Sequence, residues 1–167
     1  MILAWRRIEA ALRTWPDRAG WNFTIVAGLL GLGLIGMIAW AGGLAHFHPV
    51  PIGMVWLRTA LVVIVLPALA EELIFRGLLV PRPDQEFPLW RAFATIALFV
   101  GWHPFQALTF GPPWSALFLT PAFLGAVSVL GVTLTVIYRN TGSIWPCVAV
   151  HWLLVASWKL LFGGPFS

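Results

Sequence analysis

The sequence predicts an all-α membrane protein: a polytopic helical bundle of about five transmembrane helices, preceded by an amphipathic interfacial helix at the N-terminus. Three observations predict it. Hydrophobic residues make up 60% of the 167-residue chain and charged residues only 10%, whereas soluble domains carry roughly 45–50% apolar and about 25% charged residues. The apolar residues gather in runs of the length needed to cross a bilayer core, ~20 residues as a helix. Many of the eleven Trp residues stand near the ends of those runs, where aromatic rings anchor at the interface.

Each element has its own signal. Over residues 1–20, Ile2, Trp5, Ile8, Leu12 and Trp15 recur at helical spacing with Arg6, Arg7 and Arg13 interleaved, the pattern of a helix lying on the membrane surface. Residues 22–45 are almost continuously apolar and include Gly28, Gly31, Gly33 and Gly36, small residues that permit close helix packing in lipid. A cleaved leader would share the basic start and apolar core, but this run is long and further spans follow it. HFHPVP at 46–51 reads as a loop with His46 and His48 solvated. A second span covers about 52–80, kinked at Pro67 and stopped by Pro81 and Pro83. A third covers about 89–102 and meets Pro104; a fourth covers about 114–138 with Pro121 inside it; a fifth covers about 144–162. No fixed-period repeat, low-complexity tract or linker divides the chain, so one membrane domain is expected.

Charge sets an expected orientation and excludes one class of partner. Arg6, Arg7, Arg13 and Arg18 precede the first span, Arg82 and Arg91 follow the second, and Arg139 follows the fourth, while 46–51 and 104–113 hold no Lys or Arg. That alternation predicts a cytoplasmic N-terminus, with Lys159 as a snorkelling exception. The net charge of +4 and pI near 10.7 come from basic residues scattered at segment ends. They suit anionic lipid head groups rather than nucleic acid. The one cysteine, Cys147, can form no internal disulfide, and nothing in the chain sets an oligomeric state.

Against this background the run LPALAEELIFRGLLV at 66–80 is anomalous. A charge at the bilayer centre costs at least ~2.5–3.5 kcal/mol, yet Glu71, Glu72 and Arg76 all sit in an apolar segment. Glu72 and Arg76 are four apart and can pair on one helix face, with the acid on the favourable N-terminal side. Glu71 has Phe75 at that spacing and points about 100° away, so one carboxylate is left over for a polar cavity, a placement that suits a general base. His103 ends the third segment and His151 lies inside the fifth. From residue chemistry alone three readings stand: a buried charge knot that fixes packing, a proton relay or transport site, and a hydrolytic site. A Glu and two His could surround a water or supply a zinc ligand set, although the HExxH spacing is absent.

These residues carry a resemblance. Glu71-Glu72-Leu-Ile-Phe-Arg76 fits an EExxxR motif, Phe99-Val-Gly-Trp-His103 fits FxxxH, and Arg139-Asn-Thr-Gly-Ser-Ile-Trp-Pro leads into a helix bearing His151. In order and spacing, over roughly residues 52–160, they resemble the CAAX-protease and bacteriocin-processing family of intramembrane endopeptidases, which includes the type II CAAX prenyl endopeptidases. The resemblance implies that Glu71, helped by His103, activates a water for attack on a peptide carbonyl, and that His151 stabilises the oxyanion. It implies that Glu72 and Arg76 support the site, and we take the glutamate-based, metal-free form without a cofactor as the expectation. The implied substrate is a membrane-tethered protein or peptide in the bacterial cytoplasmic membrane. There is one departure: the family's last His is normally followed four residues later by Asn or Asp, and here that position is Val155. Gln106, Asn140 and Ser157 are the candidate replacements, and a non-catalytic immunity or scaffold member is the alternative function.

Overall fold

The computed structural model describes residues 2–165, with side chains from Trp5 onward, so the Ile2 side chain of the amphipathic pattern lies outside the described residues. The architecture is helical. Helix α1 (Ile2–Arg13) carries Ala11 fully buried and Trp5 exposed, the two-faced character expected of it. It crosses the end of the bundle where the last helix begins: the Ala11 carbonyl accepts from Ile144 N at 3.3 Å, and the Leu12 carbonyl from Trp145 Nε1 at 2.8 Å.

Asp17 opens α2 (Arg18–Ala41) by accepting from Gly20 N at 2.8 Å, a side-chain cap for an orphan donor. One side of α2 exposes Ile25, Val26, Leu29, Leu30, Met37 and Trp40, an apolar face suited to lipid. The other side packs along α6, and a side chain at Gly31 would run into Thr133. The following loop is not simply solvated. Although His46 and His48 are exposed, the amides of His46, His48 and Val50 donate to the carbonyls of Phe162, Leu161 and Leu160 at 3.2, 2.8 and 2.8 Å. They satisfy acceptors that the end of α7 would otherwise leave open.

The second segment breaks where Pro67 predicts. Helix α3 (Met54–Val63) passes into a π-helical stretch (Ile64–Leu69), within which Leu66 leaves helical geometry at φ −130°, ψ 115°. A proline restricts its predecessor in this way and withdraws an N–H from the ladder. The chain recovers as the short α4 (Ala70–Glu72), followed by a second π-helical stretch (Leu73–Leu78). Such wide turns recur at functional sites.

Two boundaries differ from expectation. Helix α5 (Leu89–Thr109) does not stop at Pro104 but runs through it; the proline removes one donor, and the flanking turns hold. The expected fourth span divides at Thr120 into a 3₁₀ helix (Pro113–Leu119) and α6 (Pro121–Thr141). Pro121 sits in the first turn, where its fixed φ suits a helix start, and Thr120 Oγ1 caps it by accepting from Phe123 N at 3.4 Å. The α6–α7 turn explains the Thr-Gly-Ser sequence. Gly142 takes the left-handed φ of 65° that ends a helix, and Ser143 Oγ accepts from Trp145 N at 3.2 Å before α7 (Trp145–Leu161).

Helices α2 and α6 are long and apolar enough to cross a membrane, and α7 is apolar but shorter. Two of the five expected crossings therefore meet that condition as continuous helices. The chain is an integral membrane protein whose core, around Leu130, Leu134, Ile137, Phe99, Ile144 and Cys147, lies between α5, α6 and α7.

Candidate active site

The break before Pro67 sets Glu71 and Glu72 at the head of a fresh helical turn, and their adjacent positions send them to different surroundings. Glu72 is 0% exposed and Arg76 1%. Arg76 Nη1 donates to Glu72 Oε1 at 3.1 Å, its Nη2 donates to the Gly131 carbonyl at 3.2 Å, and its guanidinium stands 4.2 Å over the Phe99 ring. The pairing read from spacing is present, and Phe99 and Gly131 complete the shell around the cation.

Glu72 does more than brace a helix. Its Oε1 also accepts from His151 Nδ1 at 2.9 Å, a contact between residues far apart in sequence that spacing could not reveal. With Nδ1 holding the proton toward a carboxylate, the lone pair of the neutral ring, or the second N–H of the charged one, falls on Nε2.

Glu71 faces a cavity of about 1180 Å³ that it lines together with His103 and His151, while Glu72 and Arg76 stand behind that wall. Its Oε1 accepts from Trp102 Nε1 at 3.2 Å; its Oε2 is buried with no partner among the described residues. Trp102 was missed in the sequence, where an indole one position before a histidine reads as an interfacial anchor. His103 Nδ1 lies 3.0 Å from the Phe99 carbonyl. A carbonyl only accepts, so Nδ1 carries the proton and the neutral ring presents its lone pair at Nε2. Phe99, Trp102, His103 and Gln106 thus form one stripe of α5, at i, i+3, i+4 and i+7, turned toward the site.

Val155 lines the same cavity, as do Gln106 and Ser157, whereas Asn140 is exposed at the end of α6 and is not part of the wall. His46 and His48 do not line it. Most of the lining is apolar, including Leu32, Ile35, Val63, Phe118 and Leu130. Among the described residues no group of three His, Cys, Asp or Glu side chains is arranged to hold a metal ion.

Neither the curated proteins nor the solved structures contain a significant match to this chain. A family does match: residues 53–157, well over half the chain, fit the family described as type II CAAX prenyl endopeptidase Rce1-like. That stretch runs from the start of α3 to near the end of α7, and so contains every polar residue just placed around the cavity. On that match the chain belongs to the Rce1-like family of type II CAAX prenyl endopeptidases.

Proposed function

We propose that the protein is an intramembrane endopeptidase that hydrolyses a peptide bond of a membrane-tethered protein or peptide with a water activated by Glu71 and His103. The observation that carries this reading is the division of the polar residues: Glu71, His103 and His151 line one apolar cavity, and Glu72 with Arg76 lies outside it. Glu71 Oε2 and His103 Nε2 are the atoms that hold the water. Glu71 takes its proton as the oxygen attacks the carbonyl carbon, and the tetrahedral oxyanion receives an N–H from His151 Nε2. His151 is then the imidazolium, and the Glu72 carboxylate on Nδ1 stabilises it. Collapse breaks the C–N bond, and the Glu71 proton passes to the leaving amine.

Gln106 supplies the donor that Val155 lacks. It follows His103 by one turn on the same face of α5, and its amide offers two N–H groups where Ser157 offers one hydroxyl. The apolar lining accommodates a lipid-embedded segment, and water enters only where the polar groups gather.

In this reading the second segment, α5 and α7 also cross the bilayer as parts of one domain, and the arginine-rich end that includes α1 faces the cytoplasm of a bacterial cell. The test compares the termini of membrane proteins, by mass spectrometry, between cells carrying the wild type and cells carrying Glu71→Gln. A terminus found only with the wild type identifies the substrate. Identical sets at equal protein levels would replace this reading with a non-catalytic member of the family, in keeping with Val155.

A further inference from the structure

Away from the cavity, at the end of the bundle where α1 crosses and α6 turns at Gly142, arginines gather around a tyrosine. Tyr138 of α6 is 0% exposed, and its hydroxyl has no hydrogen-bond partner among the described residues. Its charged neighbours include Arg82, Arg7 and Arg139. Arg7 in turn has Tyr138 and Arg91 for neighbours, and its Nε and Nη2 are both buried and both without an acceptor among the described residues. Those two atoms form the edge of a guanidinium that donates two parallel N–H bonds to one anion. Here that fork is built, buried and unmatched.

Among the described residues no acceptor meets the buried edge of Arg7. The electrostatic neighbours of Arg7 and Tyr138 include further arginines, and Glu9, two positions from Arg7, is taken by Arg13 at 2.9 Å. Partial burial pushes the Arg7 guanidinium below its ordinary value, the direction that desolvation gives a cation. Arg82 and Arg139 are held in place by hydrogen bonds. Arg82 donates to the Gly142 carbonyl at 3.2 Å and to Thr14 Oγ1 at 3.3 Å, and Arg139 donates to the carbonyls of Pro81, Arg82 and Pro83. None of these residues lines the catalytic cavity.

We propose that Arg7, Arg82, Arg91 and Tyr138 form a binding site for a phosphate group. The donors come from four parts of the chain: α1, the loop after the second segment, α5 and α6. A carboxylate accepts in one plane, whereas a tetrahedral phosphate turns oxygens toward all of them. The phosphate is either that of an anionic lipid head group, at the depth where α1 lies, or a free one. The site joins α1 to α5 and α6, so its occupancy fastens the interfacial helix to the bundle.

The test uses the full chain, delipidated in a neutral maltoside detergent. Thermal unfolding is followed against inorganic phosphate and, separately, short-chain phosphatidylglycerol, with chloride matching the ionic strength. The expected result is a saturable rise in Tm of about 2–4 °C for a site well above half-filled. That rise disappears in Arg7→Gln and in Tyr138→Phe. A response to phosphatidylglycerol alone assigns a lipid head group; a response to inorganic phosphate assigns a free phosphate. Tyr138→Phe removes one hydroxyl that has no partner among the described residues, so it carries the test even where Arg7→Gln fails to accumulate. No saturable response to either probe, or the same response in the folded variants, overturns the proposal.

Discussion

The Glu72 oxygen that accepts from Arg76 at 3.1 Å is also the one that lies 2.9 Å from His151 Nδ1. One carboxylate oxygen thus ties the second segment to the last helix and fixes which nitrogen of His151 meets the cavity. Glu72→Gln keeps the shape and removes the charge. By analogy with the loss of an orienting carboxylate behind a catalytic imidazole, cleavage should fall by about 10²–10⁴-fold. Turnover of a membrane-tethered reporter in proteoliposomes checks this; a loss under tenfold would show that His151 does not depend on Glu72.

Arg76→Ala should act on stability before it acts on rate. It strands Glu72 as a buried charge and empties the space over Phe99, and removing one member of a buried ion pair costs about 3–5 kcal/mol. The variant should unfold at a lower temperature and accumulate poorly in membranes. Normal abundance with no cleavage would instead place Arg76 in the reaction itself.

On the proposed mechanism, the oxyanion donor is separable from the water-activating groups. Gln106→Leu should lower kcat by about 10²-fold, the lower end of the range for one lost donor, with KM little changed. Val155→Asn placed in that background should recover part of the loss, since it restores an amide four residues after His151. An unchanged kcat in Gln106→Leu would remove Gln106 from the site.

Helix α2 is held at close range by a glycine. A methyl group at Gly31 would collide with the Thr133 side chain, so Gly31→Ala should destabilise the protein by about 1–3 kcal/mol, the usual range for overpacking. Thr133→Ala in the same chain should restore most of it. Chemical unfolding of the single and double variants in detergent measures both, and additive losses would show that the two positions do not meet.

What was legible in the sequence was local. Glu72 and Arg76 pair because an α-helix brings i and i+4 together, and Pro67 breaks the segment because a proline acts on its own turn. The partners of Glu71 and of His151 were not legible, since Trp102 and Glu72 reach them from other helices and nothing in composition marks such a contact. Proline was also the source of two boundary errors. Pro104 reads as a stop, yet α5 tolerates it; Pro121 reads as a kink, yet it begins a helix after Thr120. The residue alone does not say whether the neighbouring turns can absorb the missing donor.

Four residues of the cavity wall, Leu32, Ile35, Gly36 and Ala39, come from α2, which precedes the stretch that matches the family. Part of the wall that a bound segment would touch therefore lies outside the stretch that matches the family. On the proposed function, substitutions along that face of α2 would change which segment fits the cavity without disturbing a single polar group, so new substrates would be reached through a helix that takes no part in the reaction.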